Sequence, residues 1–101
     1  MAADNDIERK MREIQERIGR LESSQRELER SLEDIDHRRR RMSDRIERAG
    51  GNDREAEAER SRLLATRDEN RRDHESNDQR LEQLRSEAAA LQQRIDELRR
   101  R

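Results

Sequence analysis

Between Ile7 and Ala49, apolar residues recur at alternating spacings of four and three: Ile7, Met11, Ile14, Ile18, Leu21, Leu28, Leu32, Ile35, Met42 and Ile46. Only Gln25 and Arg39 interrupt the run. Two apolar positions in seven make the seam of a coiled coil, narrower than the stripe of a helix packed into a globular core. With positions divisible by seven taken as d, the a positions are Met11, Ile18, Gln25, Leu32, Arg39 and Ile46.

The pattern stops at Gly50-Gly51-Asn52, the one strong break in the chain. Glycine is favoured just past a helix C-terminus, where a left-handed residue closes the last turn. Asn52 followed by Glu55 then offers a new cap and its reciprocal partner. Asn5 with Glu8 has the same form at the start of the first run. These signals predict a first helix over about 6–48, a turn over about 49–52 and a second helix over about 53–100, within a single coiled-coil module. Gly19 falls at a solvent-facing position of the first helix, where it costs roughly 1 kcal/mol relative to alanine.

The second helix keeps the heptad phase, with Leu63, Leu81, Leu84, Ala88, Leu91, Ile95 and Leu98 on its seam. Folding the chain back at Gly51 sets Ile7 against Ile95, Met11 against Leu91, Ile14 against Ala88, Ile18 against Leu84 and Leu21 against Leu81. Ile46 meets Ala56 near the turn, and Gln25 meets Asn77, one polar residue answering another. The centre is different. Leu28 faces His74, Leu32 faces Asn70 and Ile35 faces Arg67, so apolar residues meet polar ones. Polar seam residues fix register at a cost in stability, and arginine stems can lie along a seam with their heads in water. The alternative is that Leu28, Leu32 and Ile35 form a strip on which a further helix docks.

Charges flanking the seam favour the same pairing. Antiparallel contacts bring Arg17 to Glu87 and Arg45 to Glu59, with Lys10 near Arg94 as a counterexample. A parallel pair of second helices would instead stack Arg60, Arg67 and His74 on their own duplicates, with like charges at the flanks. The fold class is therefore all-α, an antiparallel two-helix coiled-coil hairpin. One alternative makes the same contacts between chains: an unbroken helix of about 150 Å, at 1.5 Å per residue, paired antiparallel with a second copy.

Composition narrows the function classes. Half of the 101 residues are charged, 27% are hydrophobic, and there is no aromatic residue, proline or cysteine. That is too little apolar mass for a compact single-core domain. Disorder normally goes with high net charge and no period, whereas here 25 basic residues offset 26 acidic ones and the period is strong. Absence of cysteine removes disulfides and thiolate metal sites. No apolar run approaches the ~20 residues needed to cross a bilayer, and the acidic start is not a signal peptide. The simplest location is the cytoplasm. Lys10 is the only lysine among the basic residues. Arginine has GC-rich codons, which points to a high-GC bacterial or phage genome.

Catalysis finds no foothold, since a two-stranded coil offers no concave site of the usual size. No cofactor, metal or small-molecule ligand is expected. His37 and His74 lie on different helices and match no metal-binding spacing. The basic run Arg38-Arg39-Arg40-Arg41 is the best candidate for anion contact, through Arg38, Arg40 and Arg41, because Arg39 belongs to the seam. Glu33, Asp34, Asp36 and Asp44 neutralise that collar, and no aromatic side chain can stack on a base. A nucleic-acid partner is thus disfavoured in a chain of formal charge −1.

In length and in its central turn between helices, the chain resembles the Trp-x-Gly family of small secreted helical hairpins. Here Arg48-Ala49-Gly50 occupies the turn and no tryptophan occurs, so no residue roles carry over. The expected function is a non-enzymatic interaction or assembly module that pairs with itself or with a helical partner protein. The alternatives are a small helical chaperone or adaptor, and a nucleic-acid-associated coil using the arginine collar. The polar seam residues Gln25, Arg67, Asn70, His74 and Asn77 are where a partner would compete.

Overall fold

A computed structural model describes residues 2–100, with side chains from Asn5 onward. Two helices account for nearly all of it: α1, Ala2–Arg48, and α2, Arg54–Arg99. They pack against each other as an antiparallel helical hairpin. Among the described residues there is no strand and no cis peptide bond.

Each helix boundary has a local cause. α1 begins at Ala2, so Asn5 lies inside its first turns and does not cap it. Ala2 and Ala3, the best helix formers available, carry the helix past the asparagine. The C-terminus of α1 closes as the glycines require. Gly50 and Gly51 have φ of 65° and 86°. The Gly51 amide donates to the Ile46 carbonyl at 2.9 Å and the Gly50 amide to the Glu47 carbonyl at 3.0 Å. This is the Schellman arrangement, which satisfies carbonyls that a helix end would otherwise leave orphaned. A further bond from the Asn52 amide to the Ala49 carbonyl, 3.3 Å, makes a tight turn with positive φ at both central residues.

The cap of α2 is one residue later than the sequence spacing suggests. Asp53, not Asn52, accepts the Ala56 amide on its Oδ1 at 3.0 Å, and its carbonyl accepts the Glu57 amide at 3.0 Å. Ala56 therefore occupies the third helical position, so Glu55 cannot supply the reciprocal half of a capping box. Either Asn or Asp serves as an N-cap. Only Asp53 also gains a cation, because Arg45 bonds to its other oxygen at 3.1 Å.

The hairpin divides into two compact units. In the open-end unit, the described residues up to Gln25 lie with those from Ser76 onward. Met11, Leu81, Leu84 and Ile95 are buried there, as is Gln25, while Ile7, Ile14, Ile18, Leu21, Asn77, Ala88, Leu91 and Leu98 are half-buried. Gln25 donates from Nε2 to Asp78 Oδ1 at 2.8 Å, so the polar answer comes from the residue beside Asn77. A charged acceptor makes the stronger bond. Flanking pairs Glu22–Arg85 and Glu8–Arg99, at 3.9 and 3.6 Å, confirm that α2 runs backwards along α1.

In the turn unit, Arg26–Glu75, the buried apolar residues are Ile35, Ala56 and Leu63. Leu28, Leu32, Arg39, Met42, Ile46, Arg60, Arg67, Asn70 and His74 are half-buried. Cross-helix bonds again pair rising numbers on α1 with falling numbers on α2: Glu29 with His74, Ser31 with Asn70 and Ser43 with Arg60. Ala56, with no exposed surface at all, sits in the first turn of α2.

Candidate interaction surface

The polar centre of the seam lies in the turn unit and is built by α2. Asn70 donates from Nδ2 to Ser31 Oγ at 3.0 Å. The His74 ring nitrogen Nε2 lies 3.1 Å from a Glu29 carboxylate oxygen. Both partners flank the seam of α1 and are not the leucines that the register sets opposite. Arg67 has a side chain only 18% exposed, its guanidinium 3.8 Å from Asp68, and its Nε is buried without a hydrogen-bond partner. Ile35, across from it, is 5% exposed. Ile35 is therefore not available as part of an open strip. The aliphatic stem of a shielded arginine can cover an apolar neighbour. Leu28 and Leu32 are only partly buried.

Leu32 lies in a shallow groove on α1 lined also by Arg26, Glu29, Arg30, Glu33 and Asp36. The helical period brings these residues to one side, since positions three and four apart are neighbours on a helix surface. The groove has an apolar floor and a rim that carries both signs of charge.

The arginine collar does not act as one surface. Arg38 is held by Asp34 at 3.1 Å, a pair one turn apart on the same helix. Arg41 is exposed. Arg40 turns toward a groove shared with Arg39, Ser43, Asp44, Leu64 and Arg60 of α2. Arg60 was not among the anion candidates read from the sequence. The hairpin register places it opposite Met42, a signal that was present but pointed to the seam.

Two expected flank pairs are not made. Arg17 and Glu87 line the same groove without forming an ion pair. Arg45 binds Asp53, with Glu55 at 4.0 Å, and Glu59 pairs with Arg62 at 2.8 Å. Asp53 caps α2 and lies close to the end of α1, whereas Glu59 is taken by Arg62 on its own helix. Its pKa is lowered first by the hydrogen bond from the Ala56 amide; partial desolvation opposes this and the Arg45 guanidinium assists it.

Among the described residues no group of three or more His, Cys, Asp or Glu side chains is placed to hold a metal ion. No described helix is long and apolar enough to cross a membrane. Comparison with protein families, curated proteins and solved structures finds no match to the chain.

Proposed function

We propose that this chain is a non-enzymatic assembly module that joins helical surfaces, in the first instance those of two copies of itself. The observation that carries this reading is the incompletely buried pair Leu28 and Leu32 on α1, whose facing residues on α2 direct their polar groups elsewhere. Leucine left half-covered along a helix gains from a further partner, at about 25 cal/mol per Å² of apolar surface removed from water.

The charges around Leu32 support a second copy as that partner. Arg26, Glu29, Arg30 and Glu33 read plus, minus, plus, minus along α1. Read backwards, the series is minus, plus, minus, plus. Two α1 helices laid antiparallel therefore oppose Arg26 to Glu33 and Glu29 to Arg30, twice over, about a two-fold axis. Such flanking pairs choose partner and orientation more than they supply affinity.

Sedimentation velocity on a charge-swapped set tests the reading. Arg26→Glu with Arg30→Glu makes all four of these positions acidic, and Glu29→Arg with Glu33→Arg makes all four basic. Each variant alone should be monomeric where the wild type is dimeric, and a mixture of the two should associate. If both variants self-associate as the wild type does, the α1 groove is not the contact. A wild-type monomer that forms only a one-to-one complex with a different helical protein would favour the adaptor reading instead.

A further inference from the structure

We propose that Arg39, Arg40, Arg60 and Ser43 form a binding site for a single phosphate group, free or carried as a monoester on a small molecule. The site belongs entirely to the turn unit and uses both helices. α1 contributes Arg39, Arg40 and Ser43, and α2 contributes Arg60 with Leu64 beside it.

Three guanidiniums share this groove with one carboxylate in its lining, that of Asp44. Neither Arg40 nor Arg60 has a carboxylate oxygen within 4.0 Å among the described residues, so Asp44 neutralises neither of them directly. Arg39 reaches Asp36 only at 3.8 Å. Arg60 uses one nitrogen, donating from Nη1 to Ser43 Oγ at 3.5 Å, a long bond that ties the α2 arginine to the α1 hydroxyl. Two neighbouring arginines on α1 have closer acids: Arg38 has Asp34 at 3.1 Å and Arg45 has Asp53 at 3.1 Å. In this groove three positive charges converge and stay under-compensated.

Two of the three arginines also occupy seam positions. Arg39 on α1 and Arg60 on α2 stand where leucine or isoleucine would pack better. Like charges brought together on packed helices are unfavourable. An oxyanion between them would reverse the sign of that interaction. Planar guanidinium forks present paired N–H donors that match phosphate oxygens, and charge-assisted bonds of this kind are about twice as strong as neutral ones.

The dimensions favour a small ligand. Arg39 to Asp44 and Arg60 to Leu64 each span little more than one helical turn, roughly 5–8 Å at 1.5 Å per residue. A nucleic-acid backbone needs a longer basic track and stacking surfaces, whereas Arg38 is already neutralised and the chain has no aromatic residue. A doubly charged monoester also answers three cations better than a singly charged diester.

The test is thermal unfolding of the full chain, followed by far-ultraviolet circular dichroism, in sodium phosphate and in sodium chloride of equal ionic strength. Phosphate should raise the midpoint saturably above the chloride value, and glycerol 2-phosphate should do the same while dimethyl phosphate should not. Arg60→Leu should raise the midpoint in chloride and abolish the phosphate increment. Arg40→Gln, at an exposed position, should abolish it with the chloride midpoint little changed, and Arg41→Gln should keep it. A phosphate increment that is absent from the wild type, or that survives both Arg40→Gln and Arg60→Leu, overturns the proposal. So does binding of a single-stranded oligonucleotide through these arginines with no response to either phosphate or the monoester.

Discussion

Arg45 and Asp53 are joined by two hydrogen bonds, 3.1 and 3.4 Å, across the turn between α1 and α2. The same carboxylate caps α2 through the Ala56 amide, so one side chain both starts the second helix and ties it to the end of the first. Because these bonds hold the Asp53 pKa below its ordinary value, the group stabilises the fold above the unfolded-state value of about 3.9. That contribution is lost as pH falls through the lower, folded value. Asp53→Asn keeps a cap but loses the charge. The difference in melting midpoint between wild type and Asp53→Asn should therefore be largest near neutrality and should shrink as pH falls below about 4. A difference independent of pH would show that the charge contributes nothing.

The turn depends on two left-handed residues. A side chain on Gly50 or Gly51 would meet no neighbour within 4 Å, so replacement is opposed only by backbone conformation. That opposition is roughly 1–2 kcal/mol per residue. Gly50→Ala with Gly51→Ala should therefore favour a continuous helix that exchanges its second half with another copy. Light scattering should report a dimer, and a disulfide placed between cysteines at positions 14 and 88 should cross-link chains instead of closing within one. Retention of the wild-type mass and an intrachain link would count against the stop signal residing in these glycines. Gly19, by contrast, has no positive φ and open space around it. Gly19→Ala should add about 0.5–1 kcal/mol.

Core and surface leucines should separate cleanly. Leu84 is 6% exposed, and Leu84→Ala should cost about 2–5 kcal/mol, read from chemical denaturation. Leu32 is only half-buried, so Leu32→Ala should cost well under half as much while weakening self-association. Equal losses of stability at the two sites would mean that Leu32 is already fully used within the hairpin.

The polar centre of the seam offers the converse experiment. Asn70→Leu with His74→Leu replaces residues whose bonds go to Ser31 and Glu29 by residues that pack on Leu28 and Leu32. Each substitution should add roughly 1 kcal/mol, a fraction of the 1.5–3 kcal/mol for complete burial of a leucine. Self-association should fall as the hairpin gains stability. A variant that is more stable and still dimerises like the wild type would confine these residues to setting register.

The seam was legible because burial integrates over many positions: a single misfit such as Gln25 or Arg39 cannot shift a pattern held by ten apolar neighbours. The glycine stop was legible for a different reason, since positive φ at consecutive residues excludes almost everything else. The cap was not legible to the residue. Asn52 and Asp53 are both good caps, and the choice turned on Arg45, which is distant in neither sequence nor space but belongs to the other helix. The same holds for the charged flanks. Long side chains have several acids within reach, and here Arg45 goes to Asp53 while Glu59 goes to Arg62. Of the anion candidates, Arg40 joins Arg39 and Arg60 in one groove while Arg38 is spent on Asp34. That grouping depends on the rotation of two helices about their axes, which a repeat in one dimension does not specify.

Contacts in the two units differ greatly in the length of chain they enclose. Arg45 and Asp53 are 8 residues apart, Ser31 and Asn70 are 39 apart, and Gln25 and Asp78 are 53 apart. Closing a loop costs more entropy the longer it is, so the hairpin should zip from the bend toward the free ends, with each step shortening the loop left to close by the next. A polypeptide emerging from a ribosome would complete its first long helix with nothing to clasp, and the whole clasp would then form from the loop backwards once Asp53 appeared.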